Sequence, residues 1–227
     1  MHTLVLFDID GTLVRGGPAK ASFHAAMLET FGTVGAMDSY DFSGKTDPQI
    51  VRDLLAAAGL EDTVIDAGLA GLWDRYIGEL ESRISTNPMR LLPGVAGLIE
   101  ALDSEPEVAL GLVTGNIVRG AQVKLGSVGL DECFEVGGYG SDHEVREHLP
   151  AIALERAFEA WGVSFPPESA VIVGDTPRDV ECGKHAGTRT VAVATGNFGR
   201  EQLETTGADT VLDDFSDVAS VIEVLMP

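Results

Sequence analysis

Asp8 and Asp10, in the run Asp8-Ile9-Asp10-Gly11-Thr12, form a carboxylate pair that can divide labour. One ionised oxygen can attack phosphorus, and the other carboxyl, when protonated, can give its proton to the leaving oxygen. Their spacing puts both on one side of an extended strand, and Gly11 predicts a turn directly after them. Thr114-Gly115-Asn116 offers a hydroxyl and backbone N–H groups near a helix start, a setting that suits phosphate oxygens. Gly174-Asp175, with Asp179 four residues on, gives a second acidic pair. Asp175 at a strand end can ligate Mg²⁺, while Asp179 at a helix start can orient waters or a basic side chain. Each motif alone has a plainer reading, as a strand-end turn, an N-cap or a helix-dipole carboxylate. Their joint presence favours the chemical one.

Each motif follows a short apolar run: Leu4-Val5-Leu6-Phe7, Leu110-Gly111-Leu112-Val113 and Val171-Ile172-Val173. Such runs read as buried parallel strands, and open α/β sheets bind ligands beyond the carboxyl ends of their strands. If the three strands are neighbours, Asp8, Asp10, Thr114 and Asp175 meet at one edge.

The surrounding pattern predicts the supporting elements. From Arg15 to about Pro88 it is helical throughout, with a helix over Ala19–Phe31. A second helix has Asp47 as N-cap, Pro48 in its first turn and an apolar stripe through Ile50, Val51, Leu54, Leu55 and Ala58. A third carries Ile65, Leu69, Leu72, Trp73, Tyr76 and Leu80 on one face. From Pro93 onward helices alternate with strands over 108–113, 134–136, 170–173 and 190–194. This predicts an α/β, Rossmann-like, doubly wound parallel sheet built from residues 1–14 and 89–227, with an all-helical cap inserted at 15–88.

Composition narrows the function. The 227 residues are 44% hydrophobic, enough for a real core, and no apolar run approaches a membrane span. A formal net charge of −21 argues against nucleic-acid or anionic-membrane partners. It leaves room for an anionic substrate where a local Mg²⁺ and a few basic side chains reverse the field. Met1-His2-Thr3 leads straight into a strand, with no room for a signal peptide. Cys133 and Cys182 make no disulfide framework, so the expectation is a cytoplasmic enzyme with a small-molecule substrate, monomeric or homodimeric. Ser43-Gly44-Lys45-Thr46 imitates part of a P-loop, but Ser39 stands where the leading Gly is needed and no buried strand precedes it. His24, His143 and His185 lack metal-ligand spacing, and Trp73 and Trp161 are expected in the core.

Over nearly its whole length the chain resembles the haloacid dehalogenase-like hydrolases, in particular the phosphatases with a helical cap after the first strand. The resemblance rests on Asp8-Ile9-Asp10-Gly11-Thr12, Thr114, and Gly174-Asp175 through Asp179, in that order. It implies that Asp8 is the nucleophile and a Mg²⁺ ligand. Asp10 would be the general acid/base and would give its backbone carbonyl to the metal. Thr114 would bind the phosphoryl group, and Asp175 would complete the protein ligands.

The family's basic residue is expected just before the helix near Pro150. The usual spacing lands on His148, and Arg146 is the nearest permanent cation, so Arg146 takes that role here. Lys45, ahead of the second cap helix, is the candidate for the non-phosphate end of the substrate, with Arg15 behind it. The expected activity is hydrolysis of a small phosphorylated metabolite, phosphoglycolate-like or a sugar phosphate, through an aspartyl-phosphate. A sugar-phosphomutase using the same intermediate is the alternative. A dehalogenase would not need Asp10, and a phosphonatase would need a cap lysine clearly placed for a Schiff base.

Overall fold

The computed structural model describes residues 3–226. Met1 and His2, on which the expected direct entry into the first strand partly rests, lie outside the described residues, as does Pro227.

Six parallel strands form the main sheet. They are β1 (Thr3–Phe7), β4 (Val108–Thr114), β5 (Val136–Tyr139), β6 (Ala170–Gly174), β7 (Arg189–Val193) and β8 (Thr210–Leu212), in the spatial order β5-β4-β1-β6-β7-β8. β1 is central, and Leu6 pairs with Gly111 of β4 on one side and Ile172 of β6 on the other. Every residue of β4 and β6 is buried, which is why these strands read as unbroken apolar runs. The pleat sends Val5 and Phe7 to one face, against α4 (Val95–Asp103), α5 (Val118–Gly126) and α9 (Val218–Leu225). Leu4 and Leu6 go to the other face, against α6 (Leu149–Trp161) and α7 (Pro177–Ala186). α8 (Arg200–Glu204) packs beside β7 and β8. The chain runs outward from β1 through β4 to β5, then returns to place β6 on β1's other side. The switch point of the sheet therefore lies at the carboxyl end of β1.

Between β1 and β4 the chain builds a helical insert of α1 (Ala19–Phe31), α2 (Asp47–Ala57) and α3 (Asp62–Ile84). It has its own apolar cluster, including Phe23, Met27, Leu54, Leu72 and Tyr76, and meets the sheet domain through Ile117.

The helices of the insert follow the sequence pattern, α1 to the residue, but several details of the fold differ. First, the 15–88 segment is not wholly helical. Val14–Gly16 forms β2, which pairs antiparallel with β3 (Met89–Leu91) where the chain leaves and re-enters the sheet domain. Strands of three residues with exposed Arg15 and Gly16 carry too little alternation to be read. Second, Thr46, not Asp47, caps α2: its backbone is extended and its Oγ1 accepts from Gln49 N at 3.2 Å. Third, β5 is displaced from 134–136 to Val136–Tyr139, because Phe134 turns into the core and the ladder runs through the unpatterned Gly137-Gly138. β8 also went unread, and Trp73 and Trp161 lie half-buried at core margins rather than inside.

Candidate active site

The ends of β1, β4 and β6 converge as expected. β1 stops at Phe7, and Asp8 N is still held by Val173 O of β6 at 2.9 Å. Asp8 is thereby fixed at the switch point, 5% exposed. The next residues turn sharply: Gly11 N donates to Val14 O, and Gly11 adopts φ +90°. A Cβ at Gly11 would come within 2.4 Å of Asp175 Oδ2, so only glycine lets the turn lie against that carboxylate. Asp175 follows β6 and accepts from Thr12 Oγ1 at 3.3 Å.

Asp8, Asp175 and Asp179 bring one carboxylate oxygen each within 4.8 Å of one another, all buried. Hard oxygen donors packed this closely suit a small divalent cation. The electrostatics agree with that use. Burial pushes Asp8 up to about 6; Arg146 opposes the shift, while Asp179 and Asp10 add to it. Burial, then the charges of Asp179 and Asp8, pushes Asp175 up to about 8. A cluster that resists ionisation by itself is one that a cation would relieve.

Arg146 supplies the fixed positive charge. It lies on a single 3₁₀ turn, Arg146–His148, just ahead of α6, and is 4% exposed. Its Nη2 donates to Asp179 Oδ1 at 2.5 Å, Asp8 Oδ1 at 3.0 Å and Val113 O at 3.2 Å. Its Nε is buried without a protein partner. Asp179 is held in turn by the α7 capping box, where its Oδ2 accepts from Thr176 N and Oγ1 at 2.9 and 2.7 Å. Asp179 therefore orients the cation, one of the two tasks its helix-start position suggested. His148 faces solvent instead, its ring 4.2 Å from that of His143.

Thr114 closes β4, fully buried, and its Oγ1 accepts from Asn116 Nδ2 at 2.8 Å. Gly115 has a second task. A Cβ there would lie 2.0 Å from Lys45 O, and Gly115 O accepts from Asp47 N at 2.7 Å. The start of α2 is thus seated on the loop after β4. The seat is reinforced by Ile117 N donating to Asp47 Oδ2 at 2.8 Å and by Thr46 Oγ1 donating to Glu144 O at 2.6 Å. Asp47, freed from the capping role, is half-buried there. That burial pushes it up to about 6, against the pull of Lys124 and the Ile117 hydrogen bond.

Two side chains depart from a simple picture. Asp10 turns its carboxylate away from the acidic trio: Oδ2 accepts from Asn116 Nδ2 at 2.8 Å and Lys124 Nζ at 2.6 Å. The resemblance assigned the metal only the backbone carbonyl of Asp10, and its side chain is not among the clustered carboxylates. Lys45 borders the cleft, but its Nζ is held by Asp53 at 3.0 Å and Tyr40 at 2.6 Å within the insert. Lys124 escaped the sequence reading altogether, because a single lysine in the helix after β4 looks like any solvated helical charge.

All of this opens into a cleft of about 560 Å³ between sheet domain and insert, walled on the insert side by Phe23, Phe42, Ile50 and Tyr76. Buried carboxylates at a sheet switch point, one buried guanidinium among them and a roofed cleft above define an α/β enzyme centre built to receive an anion. The chain belongs to the haloacid dehalogenase-like hydrolase family, whose model matches residues 5–193. It is 28% identical to a phosphoglycolate phosphatase of Synechococcus elongatus over 222 residues, covering 98% of both chains. It is 30% identical to an N-acetylmuramic acid 6-phosphate phosphatase of Pseudomonas putida, covering 96% of this chain and 95% of that one. The crystal structure of a hydrolase from Pseudomonas syringae superposes with a TM-score of 0.71 at 20% identity, covering 99% of both, which shows the shared fold. The chain is accordingly a hydrolase of this family.

Proposed function

We propose that the protein is a Mg²⁺-dependent phosphatase that transfers the phosphoryl group of a small metabolite to Asp8 and then to water. The observation that carries this reading is the placement of Asp8. It is buried at the end of the central strand, 3.0 Å from Arg146 and within one ligand shell of Asp175 and Asp179. Asp8 and Asp175, with the Asp10 carbonyl, would hold Mg²⁺, which when bound supplies positive charge against the phosphate oxygens.

The chain's own residues do the rest. Arg146 holds Asp8 in place and offsets the charge of an approaching phosphate dianion. Thr114, Gly115 and Asn116, which follow Val113, would serve as phosphoryl-binding groups, with Gly115 and Asn116 bordering the cleft. Asp8 attacks phosphorus in line while Asp10 protonates the departing oxygen. Asp10 then takes a proton from the water that cleaves the aspartyl-phosphate. Positioning and charge stabilisation supply most of the acceleration.

The insert acts as a cap that excludes water and selects the leaving group. Arg15, Lys20, Lys45, Lys124 and Arg146 border the cleft, against Asp8, Asp10, Asp47 and Asp175. In a chain of formal charge −21, a cleft bordered by five cations against four acids favours a substrate that is anionic beyond its phosphate. A phosphorylated hydroxy acid fits, in keeping with the phosphoglycolate phosphatases among the relatives.

The test is phosphate release from a panel of phosphorylated acids and sugars, with and without Mg²⁺, with Asp8→Asn as control. Metal-dependent release that the variant loses supports the reading. Isomer formation without phosphate release would favour the mutase alternative instead.

A further inference from the structure

Lys124 lies in the helix after β4 and is 4% exposed, yet no motif of the site accounts for it. Burying an ammonium group is costly unless partners replace its water. Here they do: Lys124 Nζ is 2.6 Å from Asp10 Oδ2 and 2.6 Å from Asn116 Oδ1. Asn116 completes the triangle, its Nδ2 donating to the same Asp10 Oδ2 at 2.8 Å and to Thr114 Oγ1 at 2.8 Å. Both donors thus converge on one oxygen of Asp10. The hydrogen bonds to the Asp10 side chain fall on Oδ2 and not on Oδ1, and that side chain, 45% exposed, borders the cleft together with Asn116 and Lys124.

The arrangement is also tied to the insert. Ile117, next to Asn116, donates its N–H to Asp47 at the start of α2, and Gly115 O accepts from Asp47 N. Tyr76 of α3 packs within 4 Å of where a Cβ on Gly120 would sit, on the α5 face that carries Lys124. Lys124 thus lies on the side of α5 that meets the insert.

We infer that Lys124 is a positioning residue. It pins Oδ2 of Asp10, so that Oδ1 alone serves as the proton-transfer atom toward the leaving group. This inference rests on the phosphatase reading, and it predicts a loss confined to steps in which Asp10 gives or takes a proton. A carboxylate free to rotate presents the wrong oxygen or the wrong angle, and well-placed acid catalysis is worth about 10²–10⁴-fold. An alkyl phosphate needs its leaving oxygen protonated. p-Nitrophenyl phosphate, whose nitrophenolate leaves unaided, does not.

The experiment compares wild type with Lys124→Met, each Mg²⁺-loaded. The readouts are turnover of an alkyl phosphate such as phosphoglycolate or glycerol phosphate, and single-turnover nitrophenolate release with enzyme in excess. The expected result is a fall of about 10- to 100-fold in kcat for the alkyl phosphate. KM should be little changed, and the nitrophenolate step should stay within about threefold of wild type. On an Asp10→Asn background, Lys124→Met should cost nothing further, because its effect runs through Asp10. Lys124→Gln, which keeps a buried donor, carries the same comparison if the methionine variant does not fold.

Equal losses for both substrates would overturn the inference, since a merely structural lysine predicts them. A rise in KM alone would overturn it as well, assigning Lys124 to substrate contact. If wild type itself releases neither phosphate nor nitrophenolate, the phosphatase reading fails and the inference falls with it. With wild type active, only the role of Lys124 is at stake.

Discussion

Asp8→Asn keeps the size and most hydrogen bonds of the side chain but removes the nucleophile, so turnover is expected to vanish while the circular dichroism spectrum is unchanged. Residual turnover near the wild-type rate would move the nucleophile elsewhere. Arg146→Ala is expected to do two kinds of damage. It leaves Asp8 and Asp179 as buried carboxylates with no counter-charge, a loss of about 3–5 kcal/mol in denaturant unfolding. It also removes the cation facing the phosphate, which should lower kcat/KM by about 10²-fold or more. Unchanged kcat/KM would place the site's cation elsewhere. Arg146→Lys should not rescue fully, because the shorter lysine stem brings its ammonium short of the place of Nη2, the single nitrogen that reaches both carboxylates and the Val113 carbonyl. At this scale the sequence was legible where chemistry is local. Asp8, Asp10, Asp175 and Asp179 stand on strand ends and a helix start that a reader can find. Arg146 could be named from its place ahead of α6, though His148 had the better spacing and only the folded turn separates a buried guanidinium from a surface imidazole.

Elements decide how the helical insert sits over the site. The loop Lys45–Asp47 rests directly on Gly115, leaving no room for a side chain. Gly115→Ala would drive a methyl into the Lys45 carbonyl. The expected cost is about 1–3 kcal/mol of stability together with a higher KM, from an insert seated further off the sheet domain. Thermal unfolding and substrate titration check this, and a variant matching wild type in both would mean that the seat gives way without consequence. Gly115 was assigned to phosphate binding from its neighbours in sequence, and its packing role could not be foreseen, because the residue that meets it comes from another element. The same holds for Asp47. As a residue before Pro48 it reads as an N-cap, yet Thr46 takes the cap and the Asp47 carboxylate crosses to Ile117.

At the scale of the molecule, the acidic cluster links metal, proton and stability. Asp8 and Asp175 hold protons more tightly in the fold, up to about 6 and about 8, than they would unfolded. A group whose folded value is raised contributes stability fully below its unfolded value, and that contribution is lost as pH rises through the folded one. The metal-free protein should therefore lose thermal stability as pH rises from about 4, the unfolded carboxylate value, to about 8, while Mg²⁺ holds the carboxylates ionised and offsets the loss. At about a hundredfold excess over Kd the ion is worth about 3 kcal/mol, or roughly 5–10 °C in Tm for a chain of this size. The Mg²⁺-induced shift should be larger near pH 8 than near pH 6. Equal shifts at both would mean that these carboxylates do not take the ion. The formal charge of −21 adds self-repulsion, so moderate salt should also raise Tm. Among the described residues no helix is long and apolar enough to cross a membrane.

The amino-acid order by itself determined the doubly wound sheet, the helical insert and the acidic residues at the strand ends. Each of these is written in a contiguous pattern: unbroken apolar runs for buried strands, 3.6-residue stripes for helices, and motifs a few residues long. Tertiary structure alone decided which side chains complete them. Lys124 meets Asp10 across 114 residues of sequence and Arg146 meets Asp8 across 138. Lys45, expected at the substrate, borders the cleft with its ammonium held by Tyr40 and Asp53. Burial removes the water that would otherwise satisfy each of these charges, so the partner that replaces it is fixed by three-dimensional packing, which no local pattern records.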